Sequence, residues 1–95
     1  MDKKINQLIE IAEFAMEAND YAHAEKKYIN ALYLMDNPKS EEYQKVVNKL
    51  AKCYAAQKNF AGAKECLEEL LFYAKKNKDL KKELEYMNEM EKNNK

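Results

Sequence analysis

The feature that most constrains this chain is that part of it is used twice. Ala12, Ala15, Asp20, Tyr21, Ala22, Ala24, Tyr28, Ala31 and Leu32 are followed thirty-nine residues later by Ala51, Tyr54, Asn59, Phe60, Ala61, Ala63, Leu67, Leu70 and Leu71. A fixed period of this order means that one supersecondary unit is stacked on a copy of itself. Within each copy the apolar residues recur at three and four, the period of a helix face. Small residues, Ala12 and Ala24 in the first copy and Ala51 and Ala63 in the second, stand where two antiparallel helices must approach closely. An aromatic, Tyr21 or Phe60, opens the second helix of each unit.

The rest of the chain suits helices and little else. One Gly, one Pro, one Ser and no Thr or Trp leave scant material for strands or Gly-rich loops. Asp2 is placed to cap a first helix whose apolar residues are Ile5, Leu8, Ile9, Ile11, Ala12, Ala15 and Met16. Asn19 and Asp20 form a turn, since Asn tolerates a left-handed backbone and Asp is a good N-cap. A second helix is predicted from about Tyr21 to Met35, burying Ala24, Tyr28, Ala31, Leu32 and Met35. Pro38 breaks it and Ser40 starts a third, running to about Gln57 with Tyr43, Val46, Val47, Leu50, Ala51 and Tyr54 inward. Lys58 and Asn59 repeat the tight turn. A fourth helix is predicted from Phe60 to about Lys76, burying Ala63, Leu67, Leu70, Leu71 and Ala74 and leaving Lys64 exposed. A fifth, over about 80–92, carries Leu80, Leu84, Tyr86, Met87 and Met90; it reads either as the first helix of a third unit or as a cap. Residues 91–95 are expected to fray. One domain spans 1–95, with repeat one at about 5–36 and repeat two at about 43–76.

The paired small and aromatic positions resemble the tetratricopeptide repeat, whose second helix carries an aromatic, Ala, a bulky apolar residue and Ala after a short turn. The resemblance covers residues 5–74 and implies an all-α solenoid of antiparallel helix-turn-helix units, about five helices in all. The family's spacing is about thirty-four residues, and here the surplus falls around Pro38. It further implies a protein–protein interaction module or adaptor, holding a peptide or helical segment in a groove lined by the first helix of each unit. Carried over by position, that groove takes Asn6, Ile9, Glu10, Glu13, Met16 and Glu17 from repeat one, and Lys45, Asn48, Lys49, Lys52, Ala55 and Ala56 from repeat two. Chaperone-binding members hold a terminal carboxylate with Lys and Asn; those two positions are Ile9 and Glu13, which disfavours a chaperone tail. Two repeats are fewer than the three that usually give stability, which implies a truncated module, a tight capping helix or self-association, with a homodimer as one form of the last.

Lys45, Lys49 and Lys52 are spaced at four and three and project from one face. They either serve an acidic ligand or pair across the groove with Glu10, Glu13 and Glu17. Tyr33 and Tyr73, beside Leu34 and Phe72, offer an alternative outer contact surface, since Tyr and Phe are enriched in interface cores. Two other functions compete with the peptide groove: a helical-repeat RNA reader and a self-associating structural protein. Seventeen basic and seventeen acidic residues cancel, which weighs against electrostatic capture by nucleic acid or an anionic membrane. The absence of Arg removes the best phosphate and base contact.

Catalysis has no motif. His23 and Ser40 are the sole residues of their types, and they fall in a first helical turn and at a cap, so no nucleophile–base arrangement arises from spacing. No enzyme activity, cofactor or metal is expected. Cys53 and Cys66 have no Cys or His at ligand spacing and read as small apolar residues in a reducing compartment. With no signal peptide or membrane span evident in the pattern, a cytoplasmic protein is expected.

Overall fold

A computed structural model describes residues 2–93; Asn94 and Lys95 of the expected fraying tail lie outside the described residues. Each helix begins where a side-chain oxygen takes up an orphan backbone N–H. Asp2 Oδ1 accepts from Lys4 N at 2.7 Å and opens α1, Lys3–Glu17. Asp20 accepts from His23 N at 3.3 Å at the head of α2, Tyr21–Leu34. Ser40 Oγ accepts from Tyr43 N at 3.2 Å before α3, Glu41–Ala56. Asn59 Oδ1 accepts from Gly62 N at 3.0 Å before α4, Phe60–Tyr73. Asn77 Oδ1 accepts from both Asp79 N and Leu80 N, at 3.0 and 3.2 Å, so α5 runs Lys78–Asn93 and starts earlier than the apolar pattern predicts. α4 ends three residues sooner than predicted, because Ala74 leaves the helix at φ −131° and ψ 60°. No strand occurs among the described residues.

The chain turns at each hairpin through a left-handed residue, Asn19 at φ 60° and Lys58 at φ 61°. In both, the following N–H reaches back into the last helical turn, Asp20 N to Ala15 O at 2.8 Å and Asn59 N to Tyr54 O at 2.9 Å. These bonds satisfy the terminal carbonyls and fold α2 onto α1 and α4 onto α3. The result is an all-α stack in which α1 packs on α2, α2 on α3, α3 on α4 and α4 on α5. It forms a slab of 39 × 31 × 17 Å.

The alanines do what their size requires. Ala12, Ala24, Ala31 and Ala63 are completely buried, so the helices close over methyl groups, and Tyr28, Val46, Val47, Cys53, Leu67 and Leu70 fill the space between them. Ile11, expected inward, is exposed, because one step of about 100° from Ala12 carries it off the packed face. α5 buries no residue outright, yet Leu80, Leu84 and Met87 pack against the core. Their spacing copies that of Tyr43, Val47 and Leu50 in α3, so α5 stands where the first helix of a third unit would stand. Lys64, expected to be exposed, is half-buried and bridges α4 to α5 through Glu91 at 2.8 Å.

Gly62 shows how the two copies share volume differently. A Cβ there would meet Asn59 Nδ2 at 2.9 Å and Tyr54 Cγ at 3.0 Å. The corresponding pair in repeat one is Ala15 and His23, where the small partner has changed helix. Gly62→Ala should therefore lower stability in a chemical denaturation curve, although Ala improves intrinsic helix propensity by about 1 kcal/mol. Combining it with Tyr54→Ala should remove the part of the loss that comes from crowding. A Gly62→Ala variant more stable than the parent would contradict this account.

Candidate partner-binding groove

Glu10, Glu13, Phe14 and Glu17 rise from the solvent side of α1 around a shallow concavity of about 360 Å³. Phe14 is 72% exposed, an unusual position for a phenyl ring between carboxylates. Lys49 crosses from α3 and donates to Glu13 Oε1 at 2.6 Å. Lys45 turns to Glu41 on its own helix, 3.7 Å away. Glu10, Glu17 and Lys52 have no ion-pair partner among the described residues. The lysine row is thus divided: two members are neutralised from within the protein, and the third borders a separate crevice of about 240 Å³ with Ala55, Leu67, Glu83 and Met87.

The remaining carried-over positions scatter. Ile9 and Met16 are half-buried and pack on the core. Asn6 opens instead onto a concavity of about 800 Å³ beside Ile5, Met35 and Ser40. Ala56 is exposed and Ala55 half-buried. Asn48 keeps its Oδ1 buried without a hydrogen-bond partner among the described residues, a costly arrangement in a folded chain. Phe14 is the residue that position-by-position transfer missed. Its signal was in the spacing: it lies one turn beyond Glu10 and one turn before Glu17, with Ile11 exposed one turn before it.

On the outer surface, Tyr33 is 88% exposed and borders a small concavity with Lys4, Leu8, Asn30 and Leu34. Tyr73 meets Phe72 edge-to-face with ring centroids 5.1 Å apart. Each tyrosine thus has its own setting at the end of a different helix.

Chemistry-bearing side chains are kept apart or muted. His23 is exposed in the first turn of α2. Cys53 is buried and its Sγ donates to the Tyr21 carbonyl at 3.2 Å. Burial pushes the Cys66 thiol up to about 12, and also raises that of Cys53, so both are protonated at neutral pH. No group of His, Cys, Asp and Glu suited to a metal ion occurs among the described residues, and no helix among them is long and apolar enough to cross a membrane.

Burial, with Glu13 and Cys53 adding to it, likewise pushes Tyr28 up to about 12. The folded state then keeps a proton that the unfolded chain releases near its ordinary value of 10.0. This contribution to stability is complete below about pH 10 and is lost as the pH rises through about 12. The thermal midpoint should fall on that alkaline limb, and Tyr28→Phe should make the fall shallower. An unchanged slope in the variant would remove Tyr28 from the account.

No protein-family model matches this chain, and no curated protein is similar to it. What the chain shows is its architecture, an all-α stack of helical hairpins with an exposed acidic ridge around Phe14 on α1.

Proposed function

We propose that the chain is a protein-interaction module of the tetratricopeptide-repeat kind, holding an extended or helical segment of a partner along α1 and α3 without catalysing a reaction. The observation that carries the reading is Phe14, an exposed ring framed by Glu10, Glu13 and Glu17, with Glu13 held by Lys49 from α3. Aromatic residues of this kind anchor interfaces by burying their area on association. Because Lys45 and Lys49 already have carboxylate partners, while Glu10 and Glu17 have none, the segment that fits is mixed in charge, with basic side chains toward α1. A cytoplasmic location is part of the same proposal, supported by the two buried cysteines that stay free.

Affinity capture from native lysate tests the binding class. Phe14→Ala should reduce recovery of the partner by about tenfold, the effect of losing an aromatic anchor worth more than 1 kcal/mol. Lys49→Glu frees Glu13 and adds an acid beside it, so it should strengthen capture of a segment that turns basic side chains toward α1, while leaving the fold intact, since exposed ion pairs contribute only about 0–1 kcal/mol. Loss of the partner in Tyr33→Ala or Tyr73→Ala, with Phe14→Ala unaffected, would move the binding surface to the outer face.

A further inference from the structure

At the end of the stack opposite to α1, the turn between α4 and α5 concentrates positive charge. Lys75, Lys76, Lys78, Lys81 and Lys82 are all exposed, with Asp79 the one acid inside that stretch. None of the five is ion-paired among the described residues. Asn77 holds the turn in shape through its two bonds to the start of α5, and Asn77 N itself donates to Ala74 O at 3.0 Å. Phe72, 68% exposed, stands at the last turn of α4 beside this cluster. The patch is therefore basic, aromatic and fixed by its own backbone.

The formal net charge of the whole chain is zero. An excess of lysine at one end requires an excess of acid elsewhere, and part of it is the α1 ridge, where Glu10 and Glu17 are unpaired around exposed Phe14. The two surfaces are opposite in sign and each presents one phenyl ring. One sits on α1 and the other at the α4–α5 turn, with α2 and α3 packed in sequence between α1 and α4, so their meeting is one between molecules. We propose that the chain associates head to tail, the α4–α5 turn of one copy docking on the α1 ridge of the next. The proposal rests on the reading of the α1 ridge as a binding surface and names a second copy as its occupant. A contact between two different surfaces is heterologous, so it propagates into open chains unless the geometry closes it into a ring. Zero net charge and the lack of Arg make a second copy a better match for the lysines than a nucleic acid.

Sedimentation velocity of the purified chain over a concentration series, at low and high salt, reads this directly. The weight-average mass should grow with concentration at low salt and fall toward the monomer at high salt, as screened charge pairs weaken. Lys78→Glu/Lys81→Glu/Lys82→Glu and Glu10→Lys/Glu17→Lys should each raise the half-association concentration by about tenfold or more, with helical circular dichroism unchanged. Mixing the two charge-reversed variants should restore association, because each then carries the sign the other lacks. A wild-type monomer at every concentration, a closed dimer indifferent to both variants, or association abolished by nuclease would each overturn the proposal; the last would assign the lysines to nucleic acid. If wild type is monomeric but Phe14→Ala still loses its lysate partner, self-association falls and the groove reading stands. If Phe14→Ala also captures the partner normally, both fall.

Discussion

Replacing Leu67 with Ala is expected to destabilise the protein by about 2–5 kcal/mol, the range for truncating a fully buried leucine. Leu67 is 1% exposed and among the largest side chains so enclosed. Its neighbours along the crevice beneath α5 include Ala51 and Ala55, whose single methyl groups have no length with which to lean into the space left behind. The loss therefore belongs in the middle of the range or above it. A domain of this size has a total stability of about 5–14 kcal/mol, so this one change removes a large share. At roughly 4–8 °C per kcal/mol for such a domain, the thermal midpoint should drop by more than about 10 °C. Urea unfolding should show the lower midpoint with an unchanged slope. A loss under about 1 kcal/mol would mean that Leu67 is not a core residue.

Enlarging the small residues at the helix crossings should act from the opposite direction. Ala24→Leu and Ala63→Leu each insert three heavy atoms at a site with no exposed surface, forcing the two helices of a unit apart at a cost of about 1–3 kcal/mol. The two sites occupy the same place in their repeats, so their costs should be similar. Lys26, on the exposed side of α2, supplies the control, and Lys26→Leu should be nearly neutral. Lys64 would be a poor control because it is half-buried and tied to Glu91. Equal losses at Ala24 and Lys26 would show that α1 and α2 do not cross where the alanines lie.

The parts of this structure that were legible in the amino-acid chain are those determined within one hairpin. Asp20 and Asn59 announce their caps, Pro38 ends a helix, and the buried alanines recur with the repeat. Lys58 is harder: lysine carries no preference for a left-handed backbone, and its conformation follows only from its alignment with Asn19. Lys64 illustrates a different limit, because a residue on the flank of α4 is covered by a helix that arrives twenty-seven residues later. The groove follows the same division. That Lys45, Lys49 and Lys52 share a side of α3 is helical geometry, whereas the choice of Glu13 for Lys49 and Glu41 for Lys45 depends on the rotation of α3 against α1. Phe14 was within reach of the pattern, since two residues beyond buried Ala12 a helix has turned through about 200°.

The way α5 is attached gives the slab a gradient of rigidity. α3 has neighbours on both flanks and buries Val46, Val47, Leu50, Ala51 and Cys53, so its amides are expected to exchange with solvent only when the whole domain opens. α5 buries no residue outright and packs on α4 through half-buried side chains, Leu80, Leu84 and Met87 among them, with the Lys64–Glu91 bridge beside them, so this terminal helix of 16 residues is expected to open as its own cooperative unit. Its departure bares the floor of Ala51, Ala55 and Leu67 while the two complete hairpins stay shut. Hydrogen exchange in this protein should accordingly run on two clocks, a fast one at the last helix and a slow one for everything beneath it.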